Sequence, residues 1–326
     1  RPVPISSPSK PLLILLLAGF LAALLSVSIG STSIGFGDTL RVITGSGTEL
    51  QQTLILELRL PRTLSAFATG GLLAVAGALM QVLLRNPLAD PYVLGLSGGA
   101  AVGALLAMLA GAAGFLISGS AFAGAMLATL LVFGLAHGSG SWTPSRLLLT
   151  GVVVAAGWGA MITLILSMTP ASRLPGMLYW LMGDLSHAAT PWPGLIILVL
   201  VCLMVFPLGR ALNVLARGSL QAAALGVSVR PLEWSIYLMA SLLTAAAVTM
   251  AGSVGFVGLV VPHMLRLVLG NDQRLILPAC ALAGGTLLVL ADTLARVVIA
   301  PEQLPVGVIT ALIGVPTFLY LLYRSR

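Results

Sequence analysis

The sequence predicts an all-α membrane protein of about ten transmembrane helices, and its composition carries this prediction. Of the 326 residues, 58% are hydrophobic and only 8% are charged. A soluble domain contains ~25% charged residues, so a water-soluble globular protein is excluded. A membrane-spanning helix needs about 20 apolar residues, and about ten such helices would use most of the apolar share of this chain.

Apolar runs bounded by Arg, Pro, Asn or Asp define the individual spans. The first run is longer than the apolar core of a secretory signal peptide and lacks a clear cleavage site, so we expect a retained span. Small residues at 111–120 separate the third span from the fourth, and glycines at 252–258 predict irregular backbone between the seventh and the eighth. The predicted spans are 11–30, 63–84, 93–112, 119–136, 147–168, 192–208, 232–251, 254–270, 275–298 and 306–323.

The distribution of charge orients the chain. Cytoplasmic loops of membrane proteins carry an excess of Lys and Arg. With both termini in the cytoplasm, eleven of the 16 basic residues fall on the cytoplasmic side. We therefore expect a single transmembrane domain over residues 1–326 with both ends inside. The basic residues are scattered singly between apolar runs, which favours this topological interpretation over binding of nucleic acid.

Several kinds of chemistry are excluded by the sequence. Lys10 is the only lysine and follows Ser9, so the chain has no phosphate-binding GxxxxGK[ST] loop and cannot hydrolyse ATP by that route. Ion-coupled secondary transport, the alternative from a different class, would need carboxylates in mid-membrane. The nine acidic residues fall at span ends or in loops, with Asp292 the nearest exception. No nucleophile–base pair or metal-ligand cluster is present, and His263 stands alone.

Two hydrophilic segments at span ends are strongly patterned. Arg59 and Arg62 enclose a Leu-Pro pair at the outer end of the second span, where they could meet an acidic partner or simply reach the membrane interface. The sequence RNPLADP at 85–91 has two prolines that predict a rigid cytoplasmic turn, with Asn86 and Asp90 as capping residues. Spacing alone is equally typical of an ordinary tight turn.

The longest cytoplasmic connector, residues 209–231, alternates leucines with polar and small residues. This pattern predicts two short amphipathic helices broken at Gly218 and Gly226. A surface helix with an apolar stripe needs a partner protein or a membrane surface to cover it. The pattern leaves both possibilities open.

Seven motifs follow one another along the chain: RLPR (59–62), GALMQVLLRNPLADPYVLGLSGGA (77–100), SRLLLTG (145–151), LARGSLQAAALG (215–226), GSVGFVGLVVPHMLRL (252–267), ADTLARV (291–297) and LPVGVITALIGVPTF (304–318). Their order and spacing resemble the FecCD/BtuC-type permeases of bacterial ABC importers for cobalamin, haem and ferric siderophores. The resemblance covers nearly the whole chain from Arg59 onward.

The resemblance implies a ten-helix permease subunit with an inverted repeat, which forms a homodimer around a central pathway in the bacterial inner membrane. Two ATP-binding cassette subunits, which carry ATP and Mg²⁺, would lie on the cytoplasmic side, and a periplasmic substrate-binding protein on the other. This chain would bind no cofactor and would not be an enzyme. It would pass a bulky iron chelate inward, either haem or a ferric siderophore, with cobalamin as the alternative.

The resemblance also assigns site residues by position. Arg59, Arg62 and Arg296 match the arginines that meet acidic residues of the binding protein, and only the fold could bring these three together. The residues that match the cytoplasmic gate are Asn86, Leu88, Pro144 and Ser145. Pro144 departs from the small hydroxyl residue expected at its position.

The connector at 213–226 matches the helices that couple the permease to its ATPase. The residues assigned to this contact are Asn213, Leu215, Arg217, Gly218, Gln221, Leu225 and Gly226. Arg217 and Ser219 replace the commoner apolar and acidic residues, which predicts a modified pairing with the nucleotide-binding subunit.

Overall fold

The computed structural model describes residues 9–30, 35–136, 143–186 and 190–324, which are predominantly helical and contain no strand. A π-helical segment, Thr53–Arg59, precedes the fourth α-helix, and short 3₁₀ turns cover Pro91–Leu94 and Phe206–Leu208. The α-helices are α1 (Ser9–Ser28), α2 (Phe36–Ile43), α3 (Glu49–Gln52), α4 (Leu60–Leu83), α5 (Leu96–Leu109), α6 (Phe115–Ala136), α7 (Pro144–Met168), α8 (Leu174–Leu181), α9 (Trp192–Val205), α10 (Gly209–Leu215), α11 (Ser219–Ala224), α12 (Val229–Ala251), α13 (Val257–Leu269), α14 (Gln273–Val297) and α15 (Val306–Arg324).

The predicted all-α membrane fold is confirmed. Within the described ranges, 7 helical stretches are long and apolar enough to cross a membrane, and they contain α1, α4, α6, α7, α9, α12 and α14. Three shorter apolar helices coincide with α5, α13 and α15. Each of the ten predicted spans therefore has a helix, because an apolar run in lipid must satisfy its backbone polar groups internally.

Helix α4 is the centre of the bundle. Almost every residue between Thr63 and Leu83 is buried, and the helix packs against α9, α12, α13 and α14. A side chain on Gly77 would overlap the carbonyl group of Gly258 on α13. Small residues allow this approach where lipid provides no hydrophobic drive for helices to associate. This packing fixes the positions of the two ends of α4, where the candidate functional residues lie.

The prediction is wrong in two connectors. The chain is helical without a break from Glu49 to Leu83, so the RLPR motif, which the sequence places at the end of the second span, lies inside a 35-residue helix. Pro61 occupies the first turn of α4, where its missing N–H is tolerated, and the preceding π-helical turn accommodates the change of register. The connector after α7 also contains a short helix, α8, which the hydropathy pattern did not indicate.

The predicted irregular backbone between the seventh and eighth spans is confirmed. Helix α12 ends at Ala251, and Gly252 and Phe256 have φ values of 66° and 68° before α13 begins. The N–H of Val254 in this break donates to the Tyr92 hydroxyl at 3.2 Å. Non-helical backbone at membrane depth is stable only where the protein supplies such partners.

Candidate functional site

The N-terminal end of α4 and the C-terminal end of α14 meet around a buried carboxylate. The Asp292 side chain is 0% exposed, and Arg62 on α4 donates to its Oδ1 from Nη2 at 2.8 Å and from Nε at 3.1 Å. The remaining Nη1 of Arg62 donates to Gln303 Oε1 at 2.7 Å. Arg296 lies one turn beyond Asp292, with its Nε 3.1 Å from Oδ2 but not aligned for a hydrogen bond. One carboxylate thus balances two guanidinium groups.

Two arginines of this region also hold the end of α1. Arg59 Nη1 donates to the carbonyl oxygens of Val27 and Ser28, both at 3.1 Å. Arg296 Nη2 donates to the Ser26 carbonyl at 3.0 Å and to its hydroxyl at 2.8 Å. The last carbonyls of a helix have no partner within the helix and carry the negative end of its dipole. Arg59 and Arg296 therefore cap α1.

The fold brings together the three arginines that the sequence could not connect, but it does not expose them as an outward-facing pair. Arg59 is 7% and Arg296 is 5% exposed, and the Arg62 side chain is 13% exposed. The expectation that Arg59 and Arg62 form an outward-facing cationic pair is corrected. Arg59 donates to the α1 carbonyl groups and Arg62 donates to Asp292 instead. The cluster still contains three arginines and one carboxylate, so the cluster itself keeps an excess of positive charge. Its docking role stays a prediction.

The turn between α4 and α5 has the capping bonds that its sequence predicts. Asn86 Oδ1 accepts from the Leu88 N–H at 2.9 Å, and Asp90 Oδ1 accepts from the Tyr92 N–H at 2.8 Å. Burial raises the pKa of Asp90 to about 6, against the opposing effect of the Tyr92 N–H. The turn is therefore fixed by its own side chains and holds Leu88, which is 40% exposed, at the inner end of the bundle.

The other two residues assigned to the gate belong to the first turn of α7. Ser145 is exposed there. The side chain of Pro144 lies outside the described residues. The gate assignment stays a prediction.

The two short amphipathic helices predicted for the coupling segment are present as α10 and α11. They are separated at Gly218 and followed by Gly226, whose φ values of 139° and 79° fall in the left-handed half of the map. Their leucines divide into two groups. Leu215 on α10 is 2% exposed, whereas Leu220 and Leu225 are 87% and 71% exposed. The apolar stripe is therefore buried in the core along α10 and uncovered along α11.

Helix α10 is anchored to the start of α14 by Asn213. Its Nδ2 donates to Asp272 Oδ1 at 2.9 Å, and its Oδ1 accepts from the Gln273 N–H at 2.7 Å. The Arg274 guanidinium, and then the Asn213 amide, lower the pKa of Asp272 to about 2. Asp272 is therefore held in its charged form at this junction. The sequence assigned Asn213 to contact with a partner, and the structure adds a role inside the permease. The sequence could not show this role, because Asp272 is 59 residues away from Asn213.

A cavity of about 880 Å³ opens near the outer end, between the α5–α6 connection, α8 and the end of α12. Aromatic and thioether groups dominate one part of its wall, with Trp180, Tyr179 and Met108, and Arg173 adds a cation. Arg173 Nη1 donates to the Leu109 carbonyl at 2.6 Å. Among the described residues, no group of three or more His, Cys, Asp or Glu side chains could hold a metal ion.

Comparison with known proteins identifies close relatives along the whole chain. The model of the FecCD transport family matches residues 15–324. The chain is 38% identical over 323 residues to the hemin transport system permease protein HmuU of Yersinia pestis, covering 95% of this chain and 96% of that protein. It is 42% identical over 286 residues to the cobalamin import system permease protein BtuC of Halobacterium salinarum, covering 85% and 75%.

A solved structure shares the fold. It is an inward-facing conformation assigned to a metal-chelate type ABC transporter, which matches with a TM-score of 0.85 and 31% identity over 97% of this chain and 99% of that one.

Proposed function

Because this chain belongs to the FecCD transport family, we propose that it is the permease through which an ABC importer carries a bulky iron chelate. The chain is a multi-pass membrane protein and a transport component rather than an enzyme. The proposed cargo is haem or a ferric siderophore, delivered across the bacterial inner membrane with both termini of the permease in the cytoplasm. A homodimer would enclose the pathway.

The exposed apolar face of α11 carries the proposal that partner ATPases drive this transport. Leu220 and Leu225 are almost fully uncovered beside the buried α10, on the side that the charge distribution places in the cytoplasm. A surface of this kind needs a partner to cover it. We assign that partner as the two ATP-binding cassette subunits, which hold the ATP and Mg²⁺. Closure of the ATPases would then move α10, which is bonded to α14 through Asn213.

The outer cavity supports an iron chelate as cargo. Its volume falls within the range of about 300–1,000 Å³ that is typical of small-molecule sites. Trp180 and Tyr179 suit the flat, apolar face of a large chelate, Met108 adds a soft thioether, and Arg173 suits a peripheral carboxylate. Cobalamin is the alternative cargo, because one relative is named for hemin transport and another for cobalamin import.

The experiment that tests the cargo uses the assembled complex of permease, ATPase subunits and binding protein in proteoliposomes. ATP hydrolysis should rise when haem or a ferric siderophore is supplied with the binding protein, because cargo-loaded binding protein favours one state of an alternating-access cycle. The same preparation with cobalamin is the matched comparison. Stimulation by cobalamin alone would replace the iron chelate as the cargo. Uptake by the permease alone, driven by an ion gradient, would overturn the whole proposal.

The excess charge of the outer cluster supports a role in docking the binding protein. An Arg62→Gln variant should bind the binding protein about 10-fold more weakly, mainly through slower association, because charges near an interface act on steering more than on contact energy. The loss should shrink as salt increases. Surface plasmon resonance at two ionic strengths measures both effects.

The matched control for this variant is Gln303→Ala, which removes a neutral partner of Arg62 and keeps the positive charge. Docking by the control should equal that of the unmodified permease. Equal docking by Arg62→Gln would discard the assignment.

A further inference from the structure

A second cavity, of about 600 Å³, lies at the inner ends of α4, α10, α13 and α14. It is lined mainly by polar side chains, and those used below are Arg85, Asn86, Asn213, Arg217, Arg266 and Asn271. Three separate elements contribute the arginines: the turn after α4, the turn after α10, and α13. Asn86, Asn213 and Arg217 also have the gate and coupling roles assigned above, but those roles do not account for Arg85 and Arg266 beside them.

The positive charge of this cavity is not balanced within the described residues. None of Arg85, Arg217 and Arg266 forms an ion pair there. Arg266 donates to the side-chain oxygen of Gln81 and to the Ala78 carbonyl, which are both neutral acceptors. The one carboxylate in the wall, Asp272, already pairs with Arg274 at 2.9 Å.

Glu233 is a further acidic group in the electrostatic surroundings of Arg85. It is close enough to Arg85 to feel its charge but forms no ion pair with it. The cavity therefore keeps guanidinium groups that have no anion at contact distance in the part of the chain that the structure describes.

Arg85 also has a backbone conformation that its residue type does not favour. Helix α4 ends in a Schellman motif, in which Asn86 N–H donates to the Gln81 carbonyl at 3.2 Å and Arg85 N–H to the Val82 carbonyl at 3.3 Å. The left-handed residue of this motif is usually glycine, and here it is Arg85 with φ 48°. The unfavourable backbone conformation of Arg85 points to a functional role for its side chain.

We propose that this cavity binds a phosphate group, either that of an anionic lipid headgroup in the cytoplasmic leaflet or free phosphate. Arginine is the preferred residue for phosphate because its planar group donates two parallel hydrogen bonds, and the neighbouring Asn86, Asn213 and Asn271 amides can add more. Basic pockets between helices on the cytoplasmic side suit such headgroups. The inference adopts the orientation given under the proposed function.

A bound phosphate would connect two parts of the molecule that act in transport. Arg85 precedes the turn that holds Asn86 and Leu88, and Arg217 lies in the turn that follows α10, the first helix of the coupling segment. An anion between them would link the inner end of α4 to the ATPase-facing segment through charge-assisted hydrogen bonds.

The test uses the full chain alone in detergent, without ATPase or binding protein, so it succeeds or fails separately from the cargo assay. The apparent Tm is followed by tryptophan fluorescence against inorganic phosphate and against short-chain phosphatidylglycerol, at constant ionic strength set with chloride. Short-chain phosphatidylcholine is the lipid reference. At least one phosphate probe should raise the Tm, since a ligand of the native state stabilises it. A response to phosphatidylglycerol alone assigns the headgroup, and a response to inorganic phosphate assigns free phosphate.

Three variants decide whether this cavity is responsible. Arg217→Gln should raise the half-saturating concentration about 10-fold, the effect of losing one charged hydrogen bond. Arg210→Gln, on the preceding helix α10 but outside the cavity, should not change it. Arg85→Gly should raise the Tm without phosphate, because glycine relieves the left-handed conformation, and should weaken the response to phosphate. No response to either probe, or full responses in Arg217→Gln and Arg85→Gly, would overturn the proposal.

Discussion

Replacement of Asp292 by asparagine is expected to lower the free energy of unfolding by about 3–5 kcal/mol, the range observed when one partner of a buried ion pair is removed. Asp292 is completely buried and is the carboxylate that faces both Arg62 and Arg296. Asparagine keeps the size of the side chain and removes the charge, so two guanidinium groups would remain without a counter-ion. Equilibrium unfolding by SDS in mixed micelles measures the change.

The matched control is Asp38→Asn at the start of α2. Asp38 pairs with Arg41 at 3.5 Å, with 39% and 76% of the two side chains exposed. Exposed pairs contribute ~0–1 kcal/mol, so this variant should unfold almost as the unmodified protein does. If both variants lose equally little stability, the buried cluster does not hold the outer end of the bundle together.

The contacts of Asp292 with Arg62 and Arg296 also argue against a role for this carboxylate in ion coupling. A coupling carboxylate must exchange its proton or sodium ion with the aqueous phase during transport. Asp292 instead has fixed contacts from Arg62, and Arg296 is held to α1 by carbonyl groups. Its geometry is that of a structural anchor, in agreement with the membership of the chain in an ABC permease family.

The sequence predicted the membrane fold well, because hydropathy reports directly on the solvent that each segment meets. Each span was found, and so were the break between α12 and α13 and the division between α10 and α11. The short helices α2 and α8 and the extension from Glu49 to Arg59 were missed. All three are too short or too polar to give a separate apolar signal, and contacts with the rest of the bundle determine their helical state.

The site residues were harder to predict, because their neighbours are far away in sequence. Arg62 and Asp292 are 230 residues apart, and no local pattern shows that one neutralises the other. The same limit applies to the coupling segment, whose leucines look alike in the sequence. Leu215 faces the core and Leu220 faces outward because the φ of 139° at Gly218 redirects the chain between them.

Replacement of both Leu220 and Leu225 by serine is expected to weaken binding of the ATPase subunits by about 100-fold or more, since burial of each leucine contributes roughly 1.5–3 kcal/mol. Fold stability should hardly change, because these two side chains are 87% and 71% exposed in the permease itself. Coupled uptake should fall together with binding. Affinity of the ATPase for the permease in nanodiscs, uptake in proteoliposomes and SDS unfolding separate the three quantities.

A control with the same chemical change is Leu50→Ser, at the N-terminal turn of α3. Leu50 is 69% exposed but lies on the side that the charge distribution places opposite the coupling segment. An ATPase that binds the double variant and the unmodified permease equally well would remove α11 from the contact. The exposed leucines would then have to be covered by lipid, the alternative that the sequence pattern left open.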